Sequence, residues 1–169
     1  ESGRIHSVFN QTVTMTGRIS SAEPNMQNIP TRTELGSHIR KMFVAKPGCV
    51  LLDADYSQIE LRVLAHMAKD EVMISAFKNG EDIHTVTASQ VFGVPMDMVT
   101  SEMRKRAKAV NFGIIYGIGD YSLSQDLKIP KKTAAEYIDN YLSNYSGVRD
   151  YLESTKALAR EQGFVETMF

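Results

Sequence analysis

The sequence predicts an α+β chain: a short strand-bearing region, then an almost wholly helical one whose helices are inserted beyond the sheet. Three observations lead there. Apolar and polar residues alternate near the start, through Ile5, Ser7 and Phe9 and then Val13-Thr14-Met15-Thr16. The apolar run Cys49-Val50-Leu51-Leu52 leads into Asp53-Ala54-Asp55, as a buried strand would. From Ser57 onward apolar residues recur at helical spacing, and caps, prolines and glycines divide the segment.

The elements follow in order. Residues 4–20 read as two extended segments hinged around Gly17. Residues 21–36, with Pro24, Asn25, Gln27, Asn28, Pro30 and Gly36, read as a long ordered loop rich in amide side chains, and loops of this length often carry function. A buried strand covers 49–55. A helix starts at Ser57, where Ser57-Gln58-Ile59-Glu60 matches a capping box, and its apolar face is Ile59, Val63, Leu64 and Met67. Glu71 to Phe77 form a short helix, Asp82 caps one reaching Phe92, and Thr100 or Ser101 caps one from Glu102 to Tyr116. Further helices are expected near Ser122–Lys128, from Pro130, and from Val148 to Gln162 before Gly163. The chain starts on a strand pattern and stops on Phe164-Val165-Glu166-Thr167-Met168-Phe169, so it is expected to continue in a longer parent.

At 169 residues the chain can form one domain with a real core or two small lobes. No apolar stretch approaches the ~20 residues that span a bilayer, and the start lacks a charged-then-apolar leader. The single cysteine, Cys49, cannot form an internal disulfide and is expected to be a buried small hydrophobe. The net charge of −1 argues against a protein that coats nucleic acid by bulk positive charge. Any nucleic-acid field must be local, and Arg104, Lys105, Arg106 and Lys108 supply a candidate patch.

Within that patch Arg104, Lys108, Phe112 and Tyr116 stand four apart. Each step of four advances ~400° around a helix, so they form one stripe of ~18 Å, about the length of an extended nucleotide. Two cations at one end suit a triphosphate, and two rings at the other suit a sugar and base. The alternative is an amphipathic core helix with a basic solvent face. Asp53 and Asp55 share one face of the expected strand; either could be a turn ligand, or Asp55 could hold magnesium through hard oxygen ligation. Two-metal phosphoryl transfer needs a second carboxylate, which no other segment here offers on a strand. Glu60 is either the reciprocal partner of the Ser57 cap or a site residue, and His84 is either a polar first-turn residue or a site residue.

Asp55-Tyr56-Ser57-Gln58-Ile59-Glu60-Leu61-Arg62 resembles the first polymerase motif of family A DNA polymerases, the DNA polymerase I type. Arg104-x3-Lys108-x3-Phe112-x3-Tyr116-Gly117 resembles the second, on the mobile fingers helix. Thr16-Gly17-Arg18-Ile19-Ser20-Ser21, then Pro24-Asn25-Met26-Gln27-Asn28-Ile29-Pro30-x-Arg32, resembles the template-primer segment, and Gly80-Glu81-Asp82-Ile83-His84 a fingers segment bearing a phosphate-contacting histidine. The resemblance implies an incomplete right-hand fold: a palm portion over 1–62, helical fingers over 63–146, and a segment over 147–169 returning towards the palm. It implies Asp55 as a catalytic Mg2+ ligand, with the Tyr56 carbonyl completing the site. Gln58, Glu60, His84, Arg104, Lys108, Phe112 and Tyr116 would bind the nucleotide, Glu60 blocking a ribose 2′-hydroxyl and bonding Tyr116. Arg18, Gln27, Asn28 and Arg32 would touch the DNA duplex.

The implied partners are primer-template DNA and deoxynucleoside triphosphates, with no membrane. The implied parent is a monomeric cytoplasmic enzyme of replication or repair, active at a bacterial nucleoid. The family's third motif, a His-Asp-Glu, is expected after Phe169, so the isolated chain is expected not to polymerise. The competing readings are a non-catalytic nucleotide- or DNA-binding module and, lacking its ligands, a metal phosphohydrolase.

Overall fold

The computed structural model describes residues 3–30 and 33–167. The chain divides into two compact units, Glu1–Asp55 and Tyr56–Phe169. It is mostly helical with one small two-stranded sheet.

In the first unit, β1 (Val8–Asn10) pairs antiparallel with β2 (Ser20–Ala22), with Val8 opposite Ala22 and Asn10 opposite Ser20. The Val13–Thr16 stretch expected to be extended lies in the connection, and Gly17 takes φ +76° there, the left-handed region open to glycine. Ser7 ties the loop to the sheet: its hydroxyl lies 2.6 Å from that of Ser21, which also accepts from the Met26 N–H at 2.9 Å. The Asn25 side chain accepts from the N–H groups of Gln27 and Asn28, a local turn of the kind asparagine favours. This loop ends in a helix the sequence reading missed, α1 (Glu34–Lys41). Thr33 caps it by accepting from the Gly36 N–H, and Glu34 and Arg40/Lys41 complement its dipole. Gly36 looked like a loop residue, but a Cβ there would come 2.7 Å from Pro30 Cβ, so the glycine serves close packing.

Residues 49–55 correct the expected buried strand. The run is irregular and exposed, Leu52 at 90%, and Cys49 is exposed too. The physical reason is pairing: a strand needs neighbours for its backbone groups, and among the described residues only β1 and β2 pair.

The second unit is all helix. α2 (Ile59–Ala68) begins two residues later than expected: its N-cap is Gln58, in the left-handed region, and no side chain caps it. The Ser57–Glu60 capping box therefore does not form. Its core-facing residues are Leu61, Leu64 and Ala65. Ile59, Val63 and Met67 instead join Leu64, Glu60, Ile114, Ile115, Tyr151 and Leu152 around a cleft of about 360 Å³. The amphipathic stripe was read about a third of a turn off, because the helix has two apolar faces that share Leu64.

α3 (Glu71–Lys78) is capped by Asp70, α4 (Ile83–Phe92) by Asp82, and α5 (Ser101–Ile115) by Thr100, each accepting from the backbone N–H three residues on. A single 3₁₀ turn, Met96–Met98, separates α4 from α5. α6 (Asp120–Leu127), α7 (Lys131–Asn144) and α8 (Ser146–Gln162) follow, and Gly163 closes α8 at φ +79°. α4 packs along α5, and α7 lies against both. Leu61, Met73, Ile83, Val110, Leu123 and Tyr141 are wholly buried in the shared core. No helix among the described residues is long and apolar enough to cross a membrane.

Candidate nucleotide site

α5 presents the four-apart stripe on one side and buries the other. Ala107, Val110, Asn111, Gly113 and Ile114 are buried, whereas Arg104 and Lys108 are exposed and Phe112 is half-buried. Tyr116, the residue after the helix, is 62% exposed, so it is not the core aromatic of a purely structural helix.

Each stripe residue has a defined neighbour. Arg104 meets Asp82 through both ends of its fork, Nε to Oδ2 at 2.6 Å and Nη2 to Oδ1 at 3.0 Å. Burial works against the charge on Asp82, but hydrogen bonds from Arg104 and Thr85 and the Arg104 charge outweigh it and hold the carboxyl at about 2. Lys108 Nζ lies 6.0 Å from the Phe112 ring centroid, at the edge of cation–π range. Phe112 in turn lies 5.9 Å from the His84 ring. At the far end the Tyr116 hydroxyl donates to the Glu60 carboxylate, 3.1 and 3.0 Å from its two oxygens. Glu60 thus bonds across from α2 to the end of α5, which is where its carboxylate goes in place of the expected cap.

His84 is only 2% exposed. It lies beneath the stripe, with Asn111 Nδ2 3.1 Å from its Nδ1. Burial lowers its pKa from the ordinary histidine value; Asp82 opposes that, and Arg104 and Lys108 add to it. Gln58, at the cap of α2, is half-buried and takes φ 52°. Asp55 and Tyr56 are exposed in the irregular segment before α2.

The expected DNA-contacting residues lie in the first unit. Gln27 Nε2 donates to the Ile19 carbonyl at 3.0 Å, Asn28 is exposed in the turn, and Arg18 is exposed beside β2. Arg32 lies outside the described residues. Among the described residues no three His, Cys, Asp or Glu side chains gather as a metal cage.

Two residues were missed in the site reading. Asp82 was read only as a cap, yet it also orients Arg104. Asn111 was passed over inside the second motif, although an amide between Val110 and Ile114 on the buried side of a helix already signals a specific partner.

Known proteins resemble the chain over nearly its whole length. The chain is 58% identical over 168 residues to DNA polymerase I of Caldicellulosiruptor bescii, covering 99% of this chain and 20% of that protein. It is 53% identical over 167 residues to the thermostable DNA polymerase I of Thermus thermophilus, covering 99% and 20%, and 52% identical to DNA polymerase I of Pseudomonas aeruginosa, covering 99% and 18%. The chain thus spans about a fifth of the length of the curated relatives it matches. A solved structure, the POL domain of Pol1 from M. smegmatis in complex with DNA primer-template and dNTP, superposes with a TM-score of 0.87 at 47% identity, over 98% of this chain and 30% of that one. The description "DNA polymerase family A" matches residues 1–169, the whole of the sequence, and the chain therefore belongs to that family.

Proposed function

We propose that this chain is the nucleotide-handling segment of a DNA-directed DNA polymerase, which adds deoxynucleoside triphosphates to a primer 3′ end under template direction and releases pyrophosphate. The observation that carries this reading is the exposed side of α5, with Arg104 and Lys108 at one end and Phe112 and Tyr116 at the other. The neighbour with a bound primer-template and dNTP supports the same partners here. Residues 1–62 would belong to the palm, 63–146 to the fingers, and 147–169 to a segment returning towards the palm.

The triphosphate would lie at the N-terminal half of α5, where the helix dipole and two cations favour anions. Arg104 is oriented in advance by Asp82, so a phosphate either shares the guanidinium with that carboxylate or displaces it. Phe112 would pack on the sugar and base. The Glu60–Tyr116 bond would hold Tyr116 over the templating position before closure, leaving Glu60 beside the sugar to reject a 2′-hydroxyl. Arg18, Gln27, Asn28 and Arg32 would contact duplex backbone and minor-groove edges. Catalysis of this kind is chiefly positioning and charge stabilisation.

Magnesium takes hard oxygen ligands and keeps waters or substrate phosphates. An exposed Asp55 carboxylate followed by the Tyr56 carbonyl suits a share of such a site, but the described residues do not form a self-sufficient cage. When bound, the ion would neutralise phosphate charge. The second reading, for the chain in isolation, is a nucleotide- or DNA-binding module without turnover of its own, because two-metal phosphoryl transfer needs a second carboxylate beside Asp55.

Lys108→Ala in the parent polymerase tests the nucleotide reading. The apparent Michaelis constant for dNTP is expected to rise about tenfold or more, the loss of one charge-assisted phosphate contact, with primer-template affinity unchanged. An unaltered nucleotide dependence, measured by primer extension over a dNTP series, would make the α5 cations a solvated face.

A further inference from the structure

Buried between α4 and α5, the polar side chains form a connected network that the stripe itself does not use. Asn111 Nδ2 lies 3.1 Å from His84 Nδ1 and 3.1 Å from Thr87 Oγ1. Thr87 Oγ1 lies 2.8 Å from the Ile83 carbonyl and 2.9 Å from the Tyr145 hydroxyl. His84, Thr87, Asn111 and Tyr145 are all buried, so these bonds have no water to replace them.

Counting protons gives the network a direction. Thr87 has one hydroxyl proton, and both groups that can take it, the Ile83 carbonyl at 2.8 Å and Asn111 Oδ1 at 3.2 Å, only accept. Thr87 Oγ1 is then left to accept from the Tyr145 hydroxyl and from one N–H of Asn111. Tyr145 is suited to donate, because burial pushes its pKa up and the charge of Asp70 adds to this, outweighing the opposing Thr87 bond. The Asn111 amide is turned with its nitrogen, Nδ2, towards His84 Nδ1, so its second N–H is placed to donate there and Nδ1 to accept. A neutral imidazole that accepts at Nδ1 carries its proton on Nε2.

We propose that Asn111 is a positioning residue that holds His84 as the neutral Nε2–H tautomer, so that the imidazole can meet a nucleotide phosphate as a hydrogen-bond donor and not as a third cation. The tautomer stands on the network alone; its use on a phosphate rests on the nucleotide reading above. Of the charged groups facing His84, Arg104 and Lys108 on α5 favour a neutral ring, as burial does, and Asp82 at the start of α4 opposes them. A proton on Nδ1 would set two donors head to head at 3.1 Å and add charge beside two cations. An Asp at position 111 would invert this, since a carboxylate only accepts and would draw the proton to Nδ1.

The test is nitrogen-15 NMR of histidine-labelled chain, which has four histidines, with the His84 signals assigned by their loss in His84→Asn. In the wild type at about pH 7.5 the long-range nitrogen–proton pattern is expected to be that of Nε2–H. Asn111→Asp should move it to a ring protonated at Nδ1, and Asn111→Ala, which frees Nδ1, should give exchanging tautomers. A wild-type ring protonated at Nδ1, or a pattern unchanged in the folded variants, overturns the assignment. These spectra need no nucleotide, so they fail independently of the Lys108→Ala experiment. In the parent polymerase Asn111→Ala should raise the dNTP Michaelis constant about five-fold, the worth of one ordinary hydrogen bond, with primer-template affinity retained. An unchanged constant overturns the phosphate role.

Discussion

Asp55→Ala in the parent polymerase is expected to lower turnover by roughly a thousandfold or more, with primer-template binding nearly intact. The magnitude follows from what a metal-bound carboxylate supplies: about 4 kcal/mol of transition-state stabilisation corresponds to three decades in rate. Its selectivity follows from placement. Asp55 is exposed and bears no core packing, so its removal leaves no cavity, and the proposed duplex contacts lie on other residues. Single-turnover extension with a saturating dNTP reads the chemical step, and a primer-template titration reads binding. Comparable turnover by the variant would overturn the proposed metal-ligand role of Asp55 and leave it as a turn residue.

Asp70→Ala is expected to destabilise the chain by about 2–4 kcal/mol. Asp70 is 2% exposed, and its two oxygens serve two helix N-termini. Oδ1 accepts from the Met73 N–H of α3 at 3.0 Å, while Oδ2 accepts from the Gly147 and Val148 N–H groups of α8 at 3.0 and 3.4 Å. Both dipoles therefore point their positive ends at one carboxylate. Alanine would orphan three donors, two of them in a junction so tight that a Cβ on Gly147 would lie 2.8 Å from Asp70 Cα. Chemical denaturation of the chain reads the effect, and Asp70→Asn, which keeps one good acceptor, should lose less. A change below about 0.5 kcal/mol, the usual scatter of surface substitutions, would show that these caps are dispensable.

Helices with local start signals were legible in the sequence. Asp82, Thr100 and Gly163 act within a few residues of their own position, and α4, α5 and α8 begin and end close to where those residues imply. The stripe of α5 was legible for the same reason, because helical geometry alone places residues four apart on one side. What failed depended on partners. The 49–55 run has strand composition but no strand beside it among the described residues, so composition misled. α1 was hidden by Gly36, whose close approach to Pro30 cannot be seen locally. Ser57 and Glu60 have capping-box spacing, yet Glu60 is claimed by Tyr116, 56 residues away. The contacts of Asp70 with α8 and of Asn111 with His84 likewise join residues 77 and 27 apart.

The most direct measurement is photo-crosslinking of the parent polymerase with a dNTP that carries an azido group on its base, the adduct being mapped by mass spectrometry. Attachment at Tyr116 or Phe112, with the yield falling sharply in Lys108→Ala, is what a nucleotide lying along α5 predicts. Attachment to a helix other than α5, or a yield indifferent to Lys108, would contradict it.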